Sequence, residues 1–368
     1  MKITGLQIYW IMFSILVGNT VLITITPAVK YAKQDMWMSY LIAGLGGTLI
    51  VFLATKAALL YPKHTLIEYS KFIFGKWIGI LTAILYLVYW YTVIGNILGE
   101  FTEFVSIILL PKTPHWILLL TILLLLVYIA YIGGIEAVGR CGEVFGPIIF
   151  MSFILLIAFT IPNLQFNRIL PIYADSGLYP IIRGSFYPLS FLGESVLMLM
   201  LISFMDQPEK GTRRAVWGVL SAAVLITFST VSVILIFGPA VSAKLKYPII
   251  ETIRYINVMN FIQNLEIVAV LIWILSLFIK LSLYFVLAAY GTAQLFHIKD
   301  WKKLIWVVAV ISFLLAMVFS RSTTYGMEYI EYFWLPVVLT LNMAVIPLLL
   351  WMVGSLRKKK QASNSSNG

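Results

Sequence analysis

Along this chain the apolar positions come in long runs and the polar ones in short clusters. Stretches of about 20 apolar residues, the length that crosses a bilayer core as a helix, recur over nearly the whole sequence. They predict spans at about 7–28, 37–60, 78–106, 115–134, 144–162, 185–205, 215–237, 264–295, 303–320 and 333–353. In lipid a span must satisfy its own backbone hydrogen bonds. Runs of this length do so as helices, since barrel strands are about ten alternating residues. The expected fold class is all-α: a polytopic membrane protein of ten transmembrane helices.

Composition sharpens the picture. Hydrophobic residues are 61% of the 368 and charged residues 11%, against about 25% charge in a soluble domain. The first run begins near Leu6 with no small-residue cleavage site behind it, so it reads as a retained helix rather than a signal peptide. Cys141 is the only cysteine, which excludes an intramolecular disulfide and a cysteine metal cluster.

The net charge of +11 does not point to nucleic acid, because the basic residues sit mostly in short loops beside the spans. One side receives Lys2, Lys63, Lys71, Lys76, Arg140, Lys210, Arg213, Arg214, Lys299, Lys302 and Arg357 to Lys360. The other receives fewer, chiefly Lys30, Lys33, Lys112, Arg168, Arg183, Lys244, Lys246, Arg254 and Arg321. The excess of Lys and Arg on the first side places both termini in the cytoplasm. The stretch 357–368 has the composition of a disordered basic and polar tail. The outer loop at about 238–263 mixes apolar and polar residues at helical spacing, which predicts one or two short helices over the outer mouth.

Two interruptions suggest where a site lies. Span 1 carries Val17-Gly18-Asn19-Thr20 and span 6 carries Ser190-Phe191-Leu192-Gly193-Glu194-Ser195, each near mid-span and about half the membrane portion apart. Paired, glycine-interrupted helices in matching positions are the mark of an inverted-repeat transporter fold with its site at the midplane. The expected halves are 1–165 and 166–356. A broken helix frees N–H and C=O groups that need a ligand or a neighbour. The plainer reading of the same glycines is close helix packing.

Charges inside spans are costly and mark pathways or partners. Glu194 adjoins the span 6 break, and Lys280 lies too deep in span 8 for its head to reach the interface. Lys280 therefore needs a carboxylate such as Glu194, freed carbonyls or a ligand. Glu100 and Glu103, one turn apart toward the outer end of span 3, also suit the headgroup region. His64, His115 and His297 are scattered near span ends, with no zinc motif, nucleophile elbow or phosphate loop. No enzyme and no cofactor are expected.

The string from Tyr247-Pro248 through Glu251, Arg254 and Phe261 to Glu266, followed by Ile272-Trp273 and Phe278-Ile279-Lys280, resembles the B subunits of spore germinant receptors. The likeness extends to Phe191-Leu192-Gly193-Glu194, Gly75-Lys76-Trp77 and Pro27, and so covers essentially the whole chain. Val17-Gly18-Asn19-Thr20 is less glycine-rich than the permease pattern. Such subunits look like members of the amino acid-polyamine-organocation transporter superfamily. The resemblance implies a nutrient-sensing subunit in the spore inner membrane, binding a small germinant such as an amino acid and signalling to a membrane A subunit and a lipoprotein C subunit. Gly18, Asn19 and Thr20 would offer N–H and side-chain groups to a ligand carboxylate, with Leu192, Gly193 and Glu194 on the opposite wall. Val93, Asn96, Ile279 and Lys280 would complete the cavity, and Glu194 would take the ligand ammonium or Lys280. An independent proton-coupled amino acid symporter is the alternative, on the same fold and pocket.

Overall fold

A computed structural model describes residues 2–256, 265–320, 326 and 328–366. Asn257 to Asn264 of the outer-loop string, and Arg321, lie outside the described residues. Within them, 10 helices are long and apolar enough to cross a membrane: Gly5–Ile23, Ile25–Ala58, Lys76–Ile107, His115–Ile132, Ile135–Asn163, Leu178–Phe204, Pro208–Ser242, Glu266–Leu295, Trp301–Phe319 and Tyr329–Lys359. They are numbered spans 1 to 10, with one adjustment. Ile25–Ala32 continues span 1, the chain reverses at the tight turn Lys33–Asp35, where Lys33 has φ +49°, and span 2 proper is Met36–Ala58. The reversal is closed by a side-chain bond, Thr24 Oγ1 to Tyr40 OH at 2.6 Å. On one straight helix these two residues would stand about 24 Å apart.

Span 1 starts at a capping box. The Gln7 N–H donates to Thr4 Oγ1 at 3.2 Å, and the Thr4 N–H donates to Gln7 Oε1 at 3.0 Å. The helix then runs unbroken through Gly18, Asn19 and Thr20 to Ile23. This corrects the expected break at Val17–Thr20, which instead falls at Thr24. Its cause is Pro27, which has no N–H to bond back to the Ile23 carbonyl one turn earlier. Span 6 does break where expected: its first helix ends at Leu192 and Gly193–Leu197 winds as a tighter 3₁₀ segment.

The packing shows the inverted repeat. Span 1 packs on span 7 and span 6 on span 2; span 5 packs on span 1 and span 10 on span 6; span 3 packs on span 9 and span 8 on span 4. Spans 2 and 7, and spans 3 and 8, pair across the axis. Each of these contacts has its counterpart when 1–5 is exchanged with 6–10. Spans 1, 6 and 8 are largely enclosed, while spans 4, 5 and 9 turn residues such as Leu124, Met151 and Leu314 outward. That division puts the polar residues of spans 1, 6 and 8 at the centre of the bundle.

Both termini lie at one end. The Ile3 N–H donates to the Phe204 carbonyl at 2.8 Å, and Phe204 packs on Tyr290. Thr65 donates to Gln294 at 2.6 Å, and Arg357 donates to the Phe72 carbonyl at 3.0 Å. The last helix, expected to give way to a disordered tail over 357–368, continues to Ser366. Lys, Gln and Ala have high helix propensity, and no Gly or Pro interrupts them before Gly368. At the opposite end the outer loop forms the short helix Pro248–Arg254, with Ile249, Ile250 and Ile253 turned inward.

Candidate functional site

At the centre of the bundle the Lys280 Nζ donates to Glu194 Oε1 at 2.6 Å, with side-chain exposures of only 2% and 1%. Of the partners open to Lys280, the structure uses the carboxylate. The second oxygen of Glu194 accepts from Tyr284 OH at 2.7 Å. Because Tyr284 spends its proton there, the 2.6 Å contact between Tyr89 and Tyr284 must be donated by Tyr89. Spans 3, 6 and 8 are therefore joined by a continuous hydrogen-bonded chain through Tyr89, Tyr284, Glu194 and Lys280. The Lys280 ammonium also lies 5.4 Å from the Phe191 ring centroid.

The span 6 break allows this geometry. At Gly193 an added Cβ would lie 2.7 Å from Met343 Sδ and 3.2 Å from Ile50, so spans 2 and 10 close on the turn that carries Glu194. Leu192 lies behind it against Gly47 of span 2. On span 8, Tyr284 follows Lys280 by one turn, so both heads point toward the same wall.

Asn19, Val93, Asn96, Glu194 and Lys280 meet around one cavity with Ile97, Phe191, Tyr329, Ile330 and Trp334. It measures about 10 Å³, room for about one water. Gly18, Thr20, Leu192, Gly193 and Ile279 do not line it. The N–H groups of residues 18–20 belong to an unbroken helix, Gly18 lies against Ser276 of span 8, and the Thr20 hydroxyl donates to the Leu16 carbonyl. Ile279 is fully buried within the bundle. Two cavity residues, Asn96 and Trp334, each keep a buried polar atom, Oδ1 and Nε1, without a partner among the described residues.

Span 10 is the contribution that sequence reasoning missed. Tyr329, Ile330 and Trp334 form one wall, and Trp334 packs on Tyr89 and Phe191. The other omission is the network above the cavity. Glu100 accepts from Asn96 Nδ2 at 2.7 Å and from Asn19 Nδ2 at 3.4 Å, while Trp273 Nε1 donates to Asn19 Oδ1 at 3.2 Å. The spacing Asn96-x-x-x-Glu100, one turn on the same face, is the signal that could have exposed it.

Outward of the central cavity, and sharing Asn96 and Ile330 with it, lies a second of about 110 Å³ whose polar wall includes Glu100, Glu103 and Lys246. At its mouth Lys246 bonds Glu103 at 2.8 Å, tying the outer loop to span 3. Burial, followed by the nearby Glu103 and Glu100, raises the Tyr247 hydroxyl above its ordinary value, so this tyrosine stays neutral there. Among the described residues no cluster of His, Cys, Asp or Glu is placed to hold a metal. The arrangement offers an ammonium with unused N–H groups, two carboxylates on different spans and unpartnered amide and indole groups. Such a set suits recognition of a small polar molecule.

Comparison with known proteins agrees with this architecture. The family model described as "Spore germination protein" matches residues 2–324. Spore germination protein YndE of Bacillus subtilis (strain 168) is 28% identical over 324 residues, covering 86% of this chain and 87% of that protein. Spore germination protein KB of the same organism is 24% identical over 370 residues, covering 98% and 96%. Among solved structures, Mhp1, a nucleobase-cation-symport-1 family transporter in a closed conformation with bromovinylhydantoin bound, is similar at TM-score 0.62 and 13% identity, over 96% of this chain and 90% of that one. A Na⁺-coupled sialic acid symporter, substrate-bound and outward-open, is similar at TM-score 0.60 and 14% identity, over 88% and 76%. At such identities the likeness shows the fold alone, a LeuT-like pair of inverted five-helix repeats. With the family match spanning nearly all of the membrane portion, the chain belongs to the spore germination protein family.

Proposed function

We propose that this chain is the nutrient-sensing subunit of a spore germination receptor. It binds a small germinant, an amino acid, in the central cavity and passes a conformational shift to membrane A and lipoprotein C subunits in the spore inner membrane, with both termini cytoplasmic. The observation that carries the reading is the Lys280–Glu194 pair, a complementary ammonium and carboxylate enclosed by spans bearing unpartnered polar groups. A free amino acid presents the same two charges and can exchange with the pair bond for bond. The mechanism is population shift: the ligand favours the conformation in which the pair has opened to receive it.

The test is a thermal-shift panel of the twenty amino acids on the purified chain, beside the variant Lys280→Met. At least one amino acid stabilises the native chain and fails to stabilise the variant. No response to any of them refutes an amino acid germinant. The fold likeness to cation-coupled symporters favours a second reading, an independent proton-coupled amino acid symporter. Liposomes containing this chain alone decide between them, since a symporter accumulates the stabilising amino acid under a proton gradient and a receptor subunit does not.

A further inference from the structure

The outer cavity has a feature that the Lys280–Glu194 pair does not account for. Glu100 lines it, and among the described residues no cation lies within ion-pair distance of its carboxylate; its bonds come from the neutral amides of Asn96 and Asn19. One turn before Glu100, Asn96 is buried and its Oδ1 accepts no hydrogen bond among the described residues. That oxygen faces Gly326, another residue of the same cavity: a Cβ built on Gly326 would lie 3.7 Å from it. Two residues of one cavity wall thus carry acceptors, a carboxylate and an amide carbonyl, one turn apart. A neutral hydroxyl would satisfy one of them. A group that only donates and carries positive charge satisfies both.

We infer that Glu100 and Asn96 Oδ1 form a binding site for a primary ammonium group in the outer cavity, distinct from the Lys280–Glu194 pair. Ile23, Pro27, Phe319 and Ile330 give the cavity an apolar side, while Thr26, Tyr247 and the bonded pair Glu103 and Lys246 give it further polar groups. An alkali cation, which must replace its hydration shell with several oxygen ligands, is the competing occupant. An organic ammonium needs only its three N–H bonds met and gains from an apolar wall beside its carbon chain. The volume of about 110 Å³ accommodates such a body, whereas the central cavity of about 10 Å³ does not. Lys246, bonded to Glu103 at the mouth, leaves Glu100 as the carboxylate at the inner end of the path. The site rests on the germinant reading and deepens it, adding an outer station that selects for the amino group.

The experiment uses the full chain in lipid nanodiscs and n-butylammonium as the probe, with n-butanol, butyrate, sodium and potassium as controls at matched ionic strength. Intrinsic tryptophan fluorescence is the readout, because Trp273 donates to Asn19, which bonds Glu100. Butylammonium produces a saturable change, and butanol and butyrate produce none. Glu100→Gln weakens the apparent affinity by about tenfold to a hundredfold, the scale of a hydrogen bond to a charged partner. Glu100→Asp, which keeps the charge, retains saturable binding and guards against loss through misfolding. An equal response to butanol, or a butylammonium response unchanged in Glu100→Gln, overturns the inference. A response to sodium or potassium with none to butylammonium overturns it in favour of an alkali cation. If amino acids bind and Glu100→Gln leaves their affinity unchanged, this inference fails and the germinant reading stands. If butylammonium binds through Glu100 and no amino acid stabilises the chain, the germinant reading fails and the site stands.

Discussion

Removing either member of the central ion pair strands the other in a closed, lipid-surrounded site, and the size of the penalty can be bounded. In Lys280→Met, Glu194 keeps only the Tyr284 hydroxyl on one oxygen. It can escape its charge by taking a proton, which for an ordinary carboxyl at pH 7 costs about 3.7 kcal/mol. In Glu194→Gln the stranded Lys280 must lose a proton, at about 4.6 kcal/mol for an ordinary lysine. Both bounds sit within the roughly 3–5 kcal/mol found when one partner of a buried pair is removed. Their order predicts that Glu194→Gln is the more damaging change, by about 1 kcal/mol. The double variant strands no charge: the new amide oxygen at position 194 can still accept from Tyr284, and the new thioether at position 280 can rest against Phe191. It should therefore recover about 2–3 kcal/mol relative to the sum of the single changes. The assay is reversible SDS unfolding of the reconstituted protein for all four members of the cycle, with abundance in the membrane as a second readout. Additive losses would refute the reasoning, because two groups bonded at 2.6 Å in a closed site cannot be energetically independent.

Gly193→Leu should let the protein reach the membrane but abolish ligand-induced stabilisation, because the added side chain collides with Met343 and Ile50 where spans 2 and 10 close on the break; normal binding in a correctly inserted variant would remove the break from the site. Gly18→Ala should destabilise the chain by about 1–3 kcal/mol, since its Cβ would lie 2.8 Å from the Ser276 Cβ across spans 1 and 8; an unchanged SDS midpoint would show that spans 1 and 8 separate there at little cost. Reporter fusions after Ser366 should read cytoplasmic, and an outer reading would invert the topology. Pro27→Ala should restore a backbone N–H able to bond the Ile23 carbonyl and straighten span 1, seen as slower amide exchange at residue 27, and exchange at the native rate of neighbouring loop amides would count against it.

How far the molecule was legible follows from which physical rules act locally. The span count rests on bilayer thickness, a rule that one run of residues obeys without reference to any other, and the structure reproduces it. The span 6 break was legible because Gly193 and its polar neighbours stand in an otherwise apolar run. The span 1 break was misplaced by one to two turns, because Gly18 signals a close approach by Ser276 whereas Pro27 does the bending. Either role is consistent with a glycine seen in sequence. Lys280 and Glu194 stood out because a charge in lipid demands a partner. Tyr329 and Trp334 did not, since aromatic residues at the start of a span have the composition of an interfacial belt. Only the fold of span 10 over Phe191 and Tyr89 turns them inward. Glu100 was weighed as a headgroup-facing residue, and its bond from Asn19 of another span depends on tertiary packing that no spacing rule contains.

The two cavities together constrain how a bound molecule could act. The central one is too small for an amino acid, so occupation there requires spans 3, 6, 8 or 10 to move. In the proposed mechanism the incoming carboxylate meets the unused Lys280 N–H groups while the incoming ammonium meets Glu194, so each charge is transferred to a new partner and none is left bare. The exchange keeps the electrostatic cost of opening low without removing the need to reorganise packing. To turn a population from about 1:99 to 99:1, a ligand must favour the open form by roughly 5.5 kcal/mol, which two charge-assisted bonds of about 1.5–3 kcal/mol each can supply. A neutral solute of the same shape makes neither bond and would leave Lys280 and Glu194 to close on one another. In this scheme discrimination arises from the internal ion pair as a competitor: the closed state binds its own lysine and glutamate, and only a molecule carrying both charges displaces them.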